Sequence, residues 1–219
     1  MKLLKNTELD NGANVYVVIG SVGTGKSSLV NNHEGKRLIL SFDDSYSTLK
    51  RDEGLQVVAD ITSQELIDTE RFLIELDKIS KEYDLIVFDN ISAMQQMLVD
   101  EITDGKVSSN KNGQAAYGLT QKIMRKLVRW ATKFDGDVLF TAWSKIDNGF
   151  EVADLNSLAF NSVSGYAEIL GRTYVDNGQY YVQLQPSLSG LAKNRVNKLE
   201  KTLNEKFWLA AKFREGDKE

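Results

Sequence analysis

The chain has 219 residues, 42% of them hydrophobic and 26% charged, with a formal net charge of −4. That length suits one domain with a full core plus a small appendage, and the acidic balance argues against a generally polyanion-binding surface while leaving room for a local basic patch. The absence of cysteine excludes disulfides, thiolate metal sites and a thiol nucleophile, and suits a reducing compartment.

Taken in order, residues 1–5 carry a short basic and apolar touch and turn polar at Asn6. They read as neither signal peptide nor membrane span, so no membrane partner and a cytoplasmic location are expected. Residues 15–19 form an apolar run with the character of a buried strand. Directly after it stand Gly20, Ser21, Val22, Gly23, Thr24, Gly25, Lys26, Ser27 and Ser28, which match the phosphate-binding pattern G-x-x-x-x-G-K-[ST] in full. Residues 25–31 then open a helix. A second strand over 37–42 ends on Asp43 and Asp44, and a third is expected at 55–59. Apolar residues at Leu66, Ile67, Phe72, Leu73, Leu76 and Ile79 give a helix over 64–80. The continuous run 85–88, closed by Asp89 and Asn90, reads as a strand covered on both faces.

Residues 99–114 are polar and aperiodic and are expected to form a loop. A helix spans 115–133, a buried strand 137–143, and a second irregular stretch 145–161. Residues 167–176 and 179–185 flank Asp176-Asn177-Gly178, a strong hairpin signal. Residues 197–213 look helical. The fold class that follows is α/β, a P-loop NTPase with a mostly parallel sheet and antiparallel C-terminal edge strands. Residues 1–196 are assigned to the domain and 197–219 to a C-terminal helical extension. The single proline, Pro186, and the lack of repeats or low-complexity tracts leave no interdomain linker.

The chemistry centres on the glycine loop. Its backbone N–H groups can turn inward around a polyphosphate, Lys26 reaches the β- and γ-phosphates, and the Ser27 hydroxyl holds Mg²⁺. Asp89, at the end of a buried strand, is the natural second metal carboxylate. Hydrolysis also requires a group that orients or deprotonates water. Asp43 and Asp44 end the strand after the loop, at the carboxyl edge of the sheet where ligands bind; one of the two faces the nucleotide, with Asp44 preferred. The Asn-Lys-x-Asp signature of guanine specificity is missing, which favours ATP.

At this point the chain resembles the RecA-like ATPase core: P-loop, strand ending in acid, strand ending in Asp89, polar loop, helix, strand ending in a polar residue, second loop, antiparallel strands. Asn90 stands where helicases and many AAA+ enzymes carry glutamate. In size and layout the chain is similar to P-loop nucleotide-binding proteins of phages of Gram-positive bacteria, relatives of RecA-like phage proteins linked to single-strand annealing. The resemblance covers about residues 13–196, and its one highly specific motif is the P-loop. It implies that Ser144 senses the γ-phosphate, although the adjacent Trp143 departs from the usual polar type and reads more readily as core. It implies that Lys193 and Arg195, within Ala192-Lys193-Asn194-Arg195, enter a neighbouring subunit's nucleotide, which makes a homo-oligomer the expected assembly. It implies that stretches 99–114 and 145–161 touch single-stranded DNA, through Lys106 and Lys111 in the first, whereas Asp147, Glu151 and Asp154 make the second acidic.

Lys122, Arg125, Lys126, Arg129 and Lys133 draw a basic stripe that reads first as a solvated helix face and second as a surface for a phosphate backbone. Trp208 suits base stacking or docking of the last helix, and His33 has no evident partner. The reading that follows is a Mg²⁺-dependent ATPase acting on single-stranded DNA in recombination, annealing or replication, with phage replication or recombination proteins as further partners. The alternatives are a nucleotide switch or loader for a protein partner, and a small-molecule kinase, disfavoured because 99–114 contains no arginine.

Overall fold

The computed structural model describes residues 14–105, 112–187, 190–194 and 202–204. Four apolar runs become the centre of one sheet because every residue of each is taken out of water. Strand β1 (Asn14–Gly20) from Val15 on, β2 (Arg37–Ser41), β4 (Leu85–Asp89) and the first half of β5 (Asp137–Asp147) are buried on both faces, which parallel sheets demand. With β3 (Leu55–Val58), β7 (Ile169–Asp176), β8 (Gln179–Gln183) and β10 (Thr202–Asn204), the order across the sheet is β10-β8-β7-β1-β5-β4-β2-β3, and the short β9 (Lys193–Asn194) pairs with β7. The six strands from β7 to β3 run parallel, whereas β8 and β10 add an antiparallel edge. This is the α/β fold expected from the sequence.

The two faces are covered differently. Helices α1 (Ser63–Ile67), α2 (Thr69–Ser80), α3 (Ile91–Thr103), α4 (Gly113–Ala131) and α5 (Ser157–Ser164) pack on one face through Leu66, Leu76, Met94, Leu127 and Val163. There the Phe88 and Phe140 rings stack at 4.8 Å with Trp130 edge-on to Phe88 at 6.3 Å. The opposite face is covered by Leu29, Val30 and Leu49 from short turns. The P-loop is followed there by a six-residue 3₁₀ turn, Ser27–Asn32, in place of a long helix. The run Asn31-Asn32-His33-Glu34-Gly35 favours turns over helix. His33, unpartnered on the sequence reading, caps this turn from beneath: its Nε2 lies 3.5 Å from the buried Asp137 carboxylate and its Nδ1 accepts the Gly35 amide at 3.0 Å.

Several expectations are corrected. The helix over 64–80 is two helices broken at Asp68, the first opened by a capping box between Thr62 and Glu65, a device worth about 1 kcal/mol. Helix α3 runs through Thr103, so residues 99–103 of the expected loop are helical, and α4 begins at Gly113 behind an Asn112 cap. The stretch 145–161 is regular: β5 continues to Asp147 and turns at Asn148-Gly149, both at positive φ, into β6 (Phe150–Ala153), and α5 follows. An Asn-Gly pair in that setting is a two-residue hairpin turn. Within the expected C-terminal helix, Thr202–Asn204 is strand β10 against β8. Among the described residues no helix is long and apolar enough to cross a membrane.

Candidate nucleotide-binding site

Strand β5 separates β1 from β4, so the loop after β1 and the carboxylate ending β4 face each other across the end of one intervening strand. Between them opens a cavity of about 580 Å³, lined by residues 22–29, Asp43, Ser45, Asp89, Asn90 and Trp143, and on its far side by Thr173, Tyr180, Tyr181 and Val182. Gly20 lies where the backbone passes closest to β7. A Cβ there would sit 2.0 Å from Thr173 Oγ1 and 2.6 Å from Thr24 Oγ1. Those two hydroxyls are themselves bonded at 2.7 Å, and Thr173 donates to the Ile19 carbonyl at 3.2 Å, tying the loop to β7. Gly20→Ala is therefore expected to cost about 1–3 kcal/mol in stability by overpacking, measured as a lowered thermal midpoint. Gly23 and Gly25 hold φ of 79° and 86°, open only to glycine without strain.

Lys26 is buried, and its ammonium donates to the Gly20 and Ser21 carbonyls at 2.8 Å each. An ammonium has three hydrogens, so one remains for a ligand. Burial lowers the Lys26 pKa, against the opposing pull of Asp89, Asp43 and Glu151. Asp89 is 2% exposed. Its carboxylate accepts from Thr141 Oγ1, from Ser45 Oγ at 3.4 Å and from Ser27. Burial is the largest influence on it and raises its pKa, helped by Asp43 and opposed by Thr141, Ser27 and Lys26. Ser27, Asp89 and the phosphates of a nucleotide form an all-oxygen donor set suited to Mg²⁺, which takes one or two carboxylates plus phosphates in place of a dedicated cage.

The two adjacent acids part company. Asp43 lines the cavity, accepts the Ser45 amide at 3.1 Å and accepts from Asn90 Nδ2. Asp44 is exposed, sits at φ 55° and does not line the cavity; the preference for Asp44 is corrected to Asp43. Asn90 also caps α3 through the Ala93 amide at 2.8 Å, so the residue in place of the glutamate both starts a helix and holds Asp43.

Ser144 Oγ lies 3.3 Å from Ser21 Oγ and bonds Glu151 Oε1 at 2.5 Å. Glu151 Oε2 in turn accepts Arg172 Nη1 at 2.8 Å, and Arg172 also bonds Gln183. Trp143, read as core, is half-buried and lines the cavity. Lys193 does not line the cavity of its own chain; its ammonium bonds the Ser164 and Gly165 carbonyls at 2.9 and 3.3 Å. Arg195, Lys106, Lys111 and Trp208 lie outside the described residues.

Four contributors escaped the sequence reading: Thr141, Glu151, Arg172 and Tyr180. Thr141 carried a signal, a hydroxyl inside an otherwise apolar strand two positions before Trp143. The Tyr180 ring lies 3.1 Å from where a Cβ on Gly25 would stand, a contact set by the tertiary placement of β8.

A phosphate loop on β1, an acid at the end of a parallel strand one place removed, and a cavity between them define a P-loop NTPase. A family model described as an AAA domain matches residues 13–196, and the chain belongs to that family, one of nucleotide-binding ATPases. No curated protein matches the chain.

Proposed function

We propose that the chain is a Mg²⁺-dependent ATPase of RecA-like, phage type that acts on single-stranded DNA in recombination, annealing or replication and works as a homo-oligomer. The observation that carries the ATPase reading is the convergence of Lys26, Ser27, Asp89 and Asp43 on one cavity. In this reading the N–H groups of residues 23–28 cradle the phosphates, and the free hydrogen of the Lys26 ammonium meets a β- or γ-phosphate oxygen. Ser27 and Asp89 hold Mg²⁺, which when bound neutralises charge on the β- and γ-phosphates. Asp43 orients a water: the water oxygen bonds to the γ-phosphorus as the bond to the β–γ bridging oxygen breaks, ADP keeps that electron pair, and Asp43 takes the water's proton. Ser144, beside Ser21, reports the γ-phosphate.

The apolar side of the cavity, with Tyr180 over Gly25, suits the adenine ring. Tyr180→Ala is expected to weaken ATP binding about tenfold through lost stacking, while Tyr180→Phe retains it; equilibrium titration with a non-hydrolysable analogue measures both.

Support for DNA comes from α4, where Lys122, Arg125 and Arg129 are exposed, with Lys133 exposed just past its end, and Lys126 pairs with Glu70 at 3.0 Å. Support for assembly comes from Lys193 and Arg195 alone. A second reading, a nucleotide switch for a protein partner, is favoured by the β5–β6 hairpin. It fills the place of the second DNA loop, yet it exposes Ile146 and Phe150 and pairs its Lys145 with Asp154 at 2.9 Å. ATP turnover with and without single-stranded DNA, across a salt series, separates the two. The DNA reading expects stimulation that fades steeply with salt and is lost in Arg125→Glu/Arg129→Glu; the switch reading expects no response to DNA. Lys193→Ala/Arg195→Ala that leaves both assembly and hydrolysis intact overturns the inter-subunit role.

A further inference from the structure

Among the described residues, two buried side-chain polar atoms have no hydrogen-bond partner, Arg37 Nε and Ser41 Oγ. The second lies beside the proposed metal carboxylate. Ser41 and Asp89 are register partners at the ends of the neighbouring parallel strands β2 and β4. Side chains alternate along each strand: Leu38 and Leu40 face the helices while Ile39 faces the P-loop side, and Phe88 faces the helices while Val87 faces the P-loop side. Ser41 and Asp89 therefore share the P-loop face. Strands in register stand about 4.8 Å apart, a gap that one water between the two side chains can span, and Ser41 Oγ makes no direct bond to Asp89.

A hydroxyl 2% exposed with no partner is an anomaly, because buried polar groups are almost always bonded. Such an orphan is costly unless a ligand or water completes it in the working state. We propose that Ser41 Oγ is a positioning group of the metal site, holding a water of the Mg²⁺ shell beside Asp89 so that the carboxylate meets the metal in one fixed orientation. The inference rests on the nucleotide-site reading above. Mg²⁺ keeps several waters when it binds nucleotide, and losing a group that orients a metal's ligands typically costs about 10–100-fold in affinity.

The test is Mn²⁺ binding, read by electron paramagnetic resonance, to the full chain with a non-hydrolysable ATP analogue, alongside thermal melting without metal. Ser41→Ala is expected to weaken Mn²⁺ binding roughly tenfold while the metal-free melting temperature holds or rises by about 1–4 °C, since an unsatisfied hydroxyl has been removed. Ser41→Cys, which keeps the shape and loses the hydroxyl, is expected to bind Mn²⁺ as weakly as the alanine variant. A metal-free midpoint that drops, or a variant that fails to fold, marks the hydroxyl as an ordinary structural partner and overturns the inference. Unchanged Mn²⁺ affinity in Ser41→Ala also overturns it and leaves the nucleotide site standing. Failure of the wild-type chain to bind Mn²⁺ with the analogue overturns the underlying reading and the inference with it.

Discussion

Asp43→Asn is expected to lower steady-state ATP hydrolysis by about 10²–10⁴-fold, the usual contribution of a positioned general base, with nucleotide affinity changed only a few-fold. Asp44→Asn is expected to stay within about twofold of wild type, as surface substitutions away from a site do. The contrast is sharp because the two residues are chemically alike and adjacent, and only their placement differs. Asp43 faces the cavity between the Ser45 amide and Asn90, whereas Asp44 stands in solvent at a left-handed φ. An asparagine at 43 keeps an oxygen for the Ser45 amide and loses both the proton acceptor and the bond from Asn90 Nδ2. Phosphate release under saturating ATP measures both variants, and equal losses in the two would remove Asp43 from the water-activating role.

Asp89→Asn is expected to act on stability and on activity with opposite signs. Burial raises the Asp89 pKa in the folded chain above its unfolded value. A carboxyl raised in this way contributes stability that is fully present below the unfolded pKa of about 4 and is lost as pH rises through the folded value. Above its unfolded pKa the buried carboxyl is therefore a liability when no metal balances it. The amide removes that liability, and Thr141 can turn its hydroxyl to accept from it. Metal-free Asp89→Asn is expected to melt about 2–4 °C above wild type at pH 7–8, with the gap closing as pH falls toward 4. In the same variant Mg²⁺ no longer adds to the stabilisation given by nucleotide, and hydrolysis falls by about 10²-fold or more. Differential scanning across pH, with and without Mg²⁺ and nucleotide, follows both effects; a variant that melts lower than wild type at pH 8 without metal would contradict the burial argument.

What the sequence made legible was local. The loop from Gly20 to Ser28 is a contiguous motif whose spacing is its chemistry, and Asp89 stands out because the four residues before it are unbroken apolar. Alternation could not choose between Asp43 and Asp44, since β2 ends at Ser41 and the strand rule stops there. Glu151 was counted only as an acid unfavourable to DNA. Its bonds to Ser144 and Arg172 arise from the β5–β6 hairpin and the approach of β7, long-range pairings with no signature in spacing. The hairpin itself was readable at Asn148-Gly149, but the surrounding charges masked an alternation of Ile146, Phe150 and Val152. In the sequence Asn90 reads only as the absence of a glutamate, because its two roles come from opposite ends of one amide in three dimensions: the oxygen caps α3 and the nitrogen holds Asp43.

The central claim is that one cavity, built on Lys26 and Asp89, binds a magnesium–nucleoside triphosphate. It is tested most directly by calorimetric titration of the full chain with a non-hydrolysable ATP analogue, with and without Mg²⁺. Wild type is expected to bind more tightly with Mg²⁺, Asp89→Asn to lose the Mg²⁺ dependence, and Lys26→Ala to lose binding altogether. Undiminished binding by Lys26→Ala, or an affinity in wild type indifferent to Mg²⁺, would contradict the claim.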